Sequence, residues 1–353
     1  MLYILFAILF FGFLIAIHEF GHFLTAKLCR VRVNEFSIGM GPLLLKKQGK
    51  ETLYSLRLLP IGGFCAMEGE DEATDDPRSF AKAPAWRRFL ILVAGSGMNF
   101  LAGMVILLLL LSPAQAATTA VIDSFEEGCP AAEQGYLQPG DEILRINGHL
   151  VLIYDDISML LARGNGETAD LVVRRDGEKV KLEDVPMALA EYEQDGVSRV
   201  RYGINFSVQK SGFFRNVDTA LRTSLDFVRL VWFGLEDLFS GAAGLKEMSG
   251  PIGIVDAMSD VGQSSASPLA ALLNLLYFGA FIAINLAVMN LLPVPALDGG
   301  RIFFLIINVI LARLVHRQIP GRYEGYVHLA GMALLLLLML VVGINDVFRL
   351  IGS

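Results

Sequence analysis

His18-Glu19-Phe20-Gly21-His22 closes a run, Met1 to Ile17, that holds no charged residue. In a helix, His18 and His22 fall one turn apart on one face, so two imidazoles can converge on one metal ion. Glu19 projects beside them, where its carboxylate can activate a water at the metal and hand the proton to a leaving amine. On a soluble helix the pentapeptide could be a chance match. Inside an apolar run three ionisable side chains are costly, and a functional role is the default. The stretch predicts zinc-dependent hydrolysis within or at the edge of a bilayer. A cleaved signal peptide is the competing description. The run lacks a basic start and a small-residue cleavage site, and it carries the motif itself, so it reads as a retained first helix.

The rest of the chain supports a membrane setting. Of 353 residues, 54% are hydrophobic and 18% charged, outside the usual range of a soluble globular protein. Besides Met1 to Leu28, the stretches Phe89 to Ser112, Leu269 to Leu292 and Val327 to Ile344 approach or exceed the ~20 apolar residues that cross a hydrocarbon core. Lys27, Arg30, Arg32, Lys46, Lys47, Lys50, Arg57, Arg78, Lys82, Arg87 and Arg88 lie between the first two spans. Arg301, Arg313, Arg317 and Arg322 lie between the last two. Both loops are therefore expected in the cytoplasm, with both termini and the long central region outside. A net charge of -7, with no basic patch interleaved with aromatics, argues against nucleic acid. Cys29, Cys65 and Cys129 show no CxxC spacing, and no disulfide is expected.

Between the first two spans, Phe36 to Glu68 is punctuated by glycines and prolines and reads as short strands, with Thr52 to Leu58 alternating in a loose period of two. Pro42-Leu43-Leu44-Leu45 and Leu58 to Phe64 are too apolar for an ordinary solvated loop. Either a β-hairpin dips into the membrane against the helices, or the segment is an interfacial loop.

Residues 118–208 read as a soluble α+β domain. Ala120 to Ile122, Glu142 to Ile146, Asp170 to Arg174 and Val197 to Phe206 read as strands, and Asp156 to Arg163 as a short helix. Gly128 to Ala132, then Leu137-Gln138-Pro139-Gly140-Asp141 and Ile146-Asn147-Gly148, resemble a PDZ domain of the bacterial, protease-associated kind. The Pro-Gly-Asp turn feeds the central strand, and Asn-Gly makes the next tight hairpin. The usual Gly-Leu-Gly-Phe carboxylate loop is absent, so peptide capture and simple blocking by size both stay open. The domain is acidic and is expected to repel anionic lipid heads. Beyond it, within residues 209–268, Phe213 to Phe239 is amphipathic and suits a helix lying on the outer surface better than a fifth span.

Two histidines do not complete a catalytic zinc site, which uses three protein ligands. Asp298 is the candidate third, in Asn290-Leu-Leu-Pro293-Val-Pro295-Ala-Leu297-Asp298-Gly299-Gly300. The prolines end the third span and present a carboxylate near the membrane edge. First and third spans run in the same direction, and His18 lies about 26 Å along the first, so both ligand groups arrive near the cytoplasmic side. Asn290, about two turns before Asp298, either serves the site through an oxyanion or a substrate backbone, or makes an interhelical hydrogen bond. In the second span, Gly95, Gly97 and Gly103 permit close helix approach, and Asn99 supports the site or only the packing.

Over its whole length the chain resembles the site-2 proteases, and more narrowly the bacterial sigma-E regulator protease type with an inserted PDZ domain. The resemblance rests on His18 to His22, the Gly-rich hairpin, Gly95 to Phe100, the PDZ-like segment, Ser249-Gly250-Pro251-Ile252-Gly253 and Leu297-Asp298-Gly299. It implies a zinc endopeptidase acting in regulated intramembrane proteolysis. His18, His22 and Asp298 would be the metal ligands, Glu19 the general base and Asn290 an active-site helper. Gly62, Gly63, Phe64, Cys65 and Ala66, in the Ile61 to Met67 strand, would clamp the substrate. Substrates would be single-pass membrane proteins of the anti-sigma factor kind or leftover signal peptides, cut in the bacterial inner membrane. The expected fold is a polytopic α-helical membrane protein of four transmembrane helices, with a membrane-associated β-hairpin and an inserted extracytoplasmic PDZ domain. The divisions fall at residues 1–117, 118–208, 209–268 and 269–353. A metal-free scaffold is the alternative of a different class, and a transporter is disfavoured because no inverted repeat is visible.

Overall fold

The computed structural model describes residues 2–70, 74–164, 166–194, 197–242, 244, 250–317 and 319–352. Two units form: Met1–Leu107 with Phe227–Ser353, and Leu108–Asp226.

In the first unit the apolar runs become helices, since only an α-helix satisfies every backbone group of a span internally. α1 (Leu2–Leu28) leads into a hairpin of β1 (Val33–Gln48) and β2 (Leu53–Met67), followed by α2 (Ala85–Leu111). Among the described residues, four helices are long and apolar enough to cross a membrane: α1, α2, and the later Pro268–Leu291 and Gly321–Phe348 segments. The second and fourth begin earlier than the apolar windows indicated, at Ala85 and Gly321. Backbone hydrogen bonding carries a helix past the residues that lipid would cover, which hydropathy alone does not register.

The hairpin differs from the expected short strands. β1 and β2 are long, and they bend so that Glu35–Ile38 lies beside both Gly63–Ala66 and Leu53–Leu56, while Leu45–Gln48 flanks Leu53–Leu56 in turn. Positive φ angles at Gly39 (85°), Gly41 (82°) and Gly62 (97°) make these bends possible. Gly63–Ala66 ends up at an edge, and among the described residues no further strand pairs with its outer side.

This small sheet is fastened along α1. Lys27 Nζ donates to Glu51 Oε1 (2.8 Å) and Thr52 Oγ1 (2.7 Å). The Phe23 ring packs on Phe36 (5.0 Å between centroids) and Tyr54 (5.9 Å). Farther back along the helix a Cβ on Gly12 would lie 2.1 Å from Pro60 O, so backbone meets backbone there. The contacts thus cover α1 from Lys27 back to Gly12, about 22 Å of helix.

Among the described residues, 209–268 hold two more helices, α5 (Phe213–Ser240) and α6 (Pro251–Gln263), which precede the third span. In the second unit β3 (Ala116–Phe125), α3 (Pro130–Glu133), β4 (Glu142–Ile146), β5 (His149–Leu150), α4 (Asp156–Ala162), β6 (Thr168–Arg175), β7 (Glu178–Pro186), β8 (Ala190–Gln194), β9 (Val197–Arg201) and β10 (Ile204–Lys210) follow in order, then α5 as far as Asp226, its remainder from Phe227 belonging to the first unit. The main sheet runs β10-β3-β4-β6-β7, with β5 on β4 and β8–β9 a separate ribbon. Its inner face buries Ile122, Ile143, Ile146, Leu171 and Val173. Asn147 (φ 47°) and Gly148 (φ 82°) turn the expected hairpin after β4. The expected single strand Val197 to Phe206 is broken at Gly203, whose φ of 71° sends β9 and β10 to different sheets. Charge is also less uniform than the domain's acidity suggested. Arg145, Arg174, Lys179 and Lys181 line one cleft with Arg215 and Arg222, where Glu142 pairs with Arg174 and Asp218 with Arg222, so cations outnumber carboxylates there.

α5 forms over the amphipathic stretch, and its Phe227 ring packs on Tyr277 and Phe281 (5.5 and 5.3 Å). α6 (Pro251–Gln263) was not anticipated. Ser249 of the motif before it lies outside the described residues, while Gly250 is the N-cap and Pro251 takes the first helical position. Gly250 N and Gly253 N donate to Asp346 Oδ2 (3.0 and 2.9 Å), which satisfies amides that open a helix. Met258 of α6 is buried with Ala7, Phe10 and Leu14 of α1 and with Leu275, Ile282 and Ala283 of the third span, α7 (Pro268–Leu291). α8 (Asp298–Leu314) and α9 (Gly321–Gly352) complete the unit. Asp346 lies late in α9, so α6 gathers the start of α1, the middle of α7 and the end of α9. The opposite end carries the histidines, Asp298 and the start of α9.

Candidate metal centre

α1 delivers His18 and His22 one turn apart, with ring centroids 4.8 Å apart and planes at 80°. α7 ends at Leu291, two residues before Pro293, because a residue preceding proline is pushed out of the α region. The chain then doubles back over the first turn of α8: a Cβ on Gly299 would stand 2.1 Å from Leu292 O. That crossing puts Asp298 at the first position of α8, where a carboxylate suits the positive helix end.

The structure brings all three predicted ligand side chains together. Asp298 Oδ2 lies 3.0 Å from His18 Nε2 and 3.2 Å from His22 Nε2, and the two Nε2 atoms are 3.1 Å apart. Tetrahedral zinc ligands at about 2.0–2.1 Å stand roughly 3.3 Å from one another, so the triangle has the right size.

Proton positions support the same conclusion. His22 Nδ1 lies 2.8 Å from Ile91 O of α2, a carbonyl that can only accept, so Nδ1 carries a proton and the neutral ring has its lone pair on Nε2. His18 Nδ1 faces the Asn99 amide, with Nδ2 at 3.4 Å, while the Oδ1 of that amide is buried without a partner. Turning the amide gives Oδ1 a ring N–H to accept and bares His18 Nε2 as well. Asp298 Oδ2 likewise lacks a hydrogen-bond donor. Three lone-pair-bearing atoms meeting without a proton between them call for a cation.

Gly95 of α2 makes this convergence possible. A Cβ there would lie 2.4 Å from His22 Nε2 and 2.8 Å from His18 Nε2. Sequence reasoning assigned Gly95, Gly97 and Gly103 alike to helix packing. Gly103 does meet Ile284 of α7, but nothing lies within 4 Å of a Cβ at Gly97, and Gly95 packs against the imidazoles themselves.

Glu19 stands on the same turn, between the histidines and the hairpin edge, with its Cγ 3.5 Å from where a Gly63 Cβ would be. Of the expected clamp residues, Gly63 is therefore beside Glu19. Cys65 is 8% exposed and points into the core with Ala26 and Cys29, so only its backbone faces the edge. Burial, with Glu19 nearby, pushes its thiol up, which keeps it neutral. Phe64 lies under the Arg57 guanidinium. Gly62 supplies the bend before the strand, and Ala66 pairs with Glu35. Asn290, half-buried in the last turn of α7, joins no hydrogen bond to the cluster, and the interhelical bond that would otherwise explain it is not made among the described residues.

Sequence reasoning missed two links. Glu70, just past β2, pairs with Arg301 of α8 and ties the hairpin to the element that carries Asp298. His328 of α9 accepts a hydrogen bond from Ala296 N in the loop before Asp298 (2.9 Å).

The Peptidase family M50 model matches residues 6–338. A protein of Clostridium acetobutylicum named as a candidate zinc metalloprotease is 36% identical, covering 98% of this chain and 97% of its own. One of Helicobacter pylori with the same designation is 33% identical, covering 98% and 99%. The regulator of sigma-W protease RasP of Bacillus subtilis is 28% identical over 97% of each chain. With four helices fit to span a membrane and a three-ligand cluster of zinc dimensions, the chain is an integral membrane zinc metalloprotease and belongs to Peptidase family M50.

Proposed function

We propose that the chain cuts single-pass transmembrane segments inside the bilayer, on anti-sigma factor-type regulators or remnant signal peptides. The observation that carries this is the edge strand Gly63–Ala66 lying beside Glu19 and the His18–His22–Asp298 cluster. The name of the Bacillus subtilis relative, a sigma-factor regulator protease, supports the regulatory substrate class.

His18, His22 and Asp298 would hold the metal. Zinc bound there supplies Lewis-acid polarisation of the scissile carbonyl and makes water acidic enough to attack near neutral pH. Glu19 takes the proton of the attacking water and delivers it to the leaving amine nitrogen. Asn290 supplies an amide for the substrate backbone or the oxyanion. A transmembrane helix hides its peptide bonds in internal hydrogen bonds, so it unwinds before cleavage. The free edge of Gly63–Ala66 then gives the unwound segment replacement partners, as in strand addition.

The sheet covers α1 from Lys27 to Gly12 and leaves Leu43, Leu44, Leu45, Leu58 and Leu59 exposed, which favours a hairpin immersed beside the helix over an interfacial loop. The Lys and Arg distribution puts the metal on the cytoplasmic side of the inner membrane, with the termini and the central domain outside. That domain, with its six-stranded sheet, two short helices and Pro-Gly-Asp turn, is a PDZ domain. The Tyr154 and Phe206 rings meet at 5.1 Å between the α4 side and β10, which favours exclusion by size over peptide capture.

Glu19→Gln tests the reading. It keeps zinc and fold and abolishes cleavage of a membrane-embedded reporter. Retained cleavage would remove Glu19 from the chemistry.

A further inference from the structure

Ala296 sits two residues before Asp298 with φ of 75°, a left-handed conformation that a residue with a Cβ adopts at a cost. Short polar side chains that relieve such strain locally are absent at an alanine. The compensation comes from α9. Ala296 N–H donates to His328 Nδ1 at 2.9 Å, which fixes the ring proton on Nε2, facing Glu324 one turn earlier at 3.9 Å.

A second, independent contact lies one turn further along the same face of α9. A Cβ on Gly331 would stand 2.3 Å from Pro295 Cβ and 3.0 Å from Pro295 O, so the loop backbone rests directly on the helix at that point. His328 and Gly331, three residues apart, thus grip consecutive residues of the loop, one by a hydrogen bond and one by close packing. The strained turn they hold is the one that sends the chain over Gly299 and sets the start of α8.

We infer that His328 is a positioning residue for the metal site: the fourth span, through His328 and Gly331, locks Ala296 in its left-handed turn and so holds Asp298 in ligand geometry. This rests on Asp298 being a zinc ligand. It gives α9, which brings no ligand of its own, a direct part in metal binding. A displacement of Asp298 by a fraction of an ångström separates three-point from two-point coordination, so the hydrogen bond is felt at the metal.

The test uses full-length protein in detergent, with zinc affinity measured by chelator competition and geometry by the visible absorption of the cobalt-substituted form. His328→Leu should weaken zinc binding about 10- to 100-fold, the range for residues that orient ligands, and alter the cobalt bands. His328→Asn should restore both, because its Oδ1 occupies the place of Nδ1 and accepts the same N–H. His328→Leu combined with Ala296→Gly should also recover affinity, since glycine takes the positive φ unaided. Wild-type affinity in His328→Leu overturns the inference. So does a loss that neither His328→Asn nor Ala296→Gly repairs, which would mark His328 as merely part of the α9 packing. Full zinc binding by Asp298→Asn, with unchanged cobalt bands, would instead overturn the ligand assignment on which the inference stands.

Discussion

A methyl group on Gly95 would lie 2.4 Å from Nε2 of His22, nearer than any unbonded carbon can approach a nitrogen. The second span therefore does more than pack against the first. It leaves an opening in which both imidazoles can turn their Nε2 atoms to a common point. Gly95→Ala should raise helix propensity and preserve the fold, yet lower zinc affinity by about 100-fold, at the upper end for changes next to ligands. Equilibrium zinc competition on the purified variant checks this, with circular dichroism as the control for folding.

Asn99, 1% exposed, accepts the Nδ1 proton of His18 once its amide is turned. Asn99→Leu should cost roughly 10- to 100-fold in zinc affinity. Asn99→Asp should remain close to wild type, because a carboxylate accepts the same proton. Equal losses in both variants would reduce Asn99 to a packing role.

Gly63 borders the lane between the edge strand and Glu19. A side chain there would press on Ser37 O at 2.8 Å and on Glu19 Cγ at 3.5 Å. Gly63→Ala should leave zinc content unchanged while cutting kcat/KM for a membrane-embedded reporter, by up to about 100-fold if the scissile bond shifts by an ångström. Zinc loss in this variant would show the hairpin to be part of the metal site rather than of the substrate path.

Much of this was legible in the sequence. His18 and His22 at helical spacing, and Pro293 and Pro295 breaking a span just before Asp298, are local signals, and parallel topology brings them to one level. The hairpin was visible as a composition, but not its doubling back, because the partner of Glu35–Ile38 on either side is set by bends at Gly39, Gly41 and Gly62 that have no periodicity to read. Gly95 looked like Gly97 in sequence, and only the approach of α1 separates a glycine against two imidazoles from one facing open space. His328 gave no sign of its contact, since Ala296 is an ordinary residue until its φ is known. α6 was missed because its apolar face is short and its N-terminal partner, Asp346, lies 93 residues from Gly253.

The most direct measurement is zinc per chain in protein purified without added metal, for the wild type and for Glu19→Gln, His22→Ala and Asp298→Ala. The His18–His22–Asp298 site predicts one equivalent in the wild type and in Glu19→Gln, and none in His22→Ala or Asp298→Ala. A full equivalent of zinc in Asp298→Ala, bound as tightly as in the wild type, would contradict it.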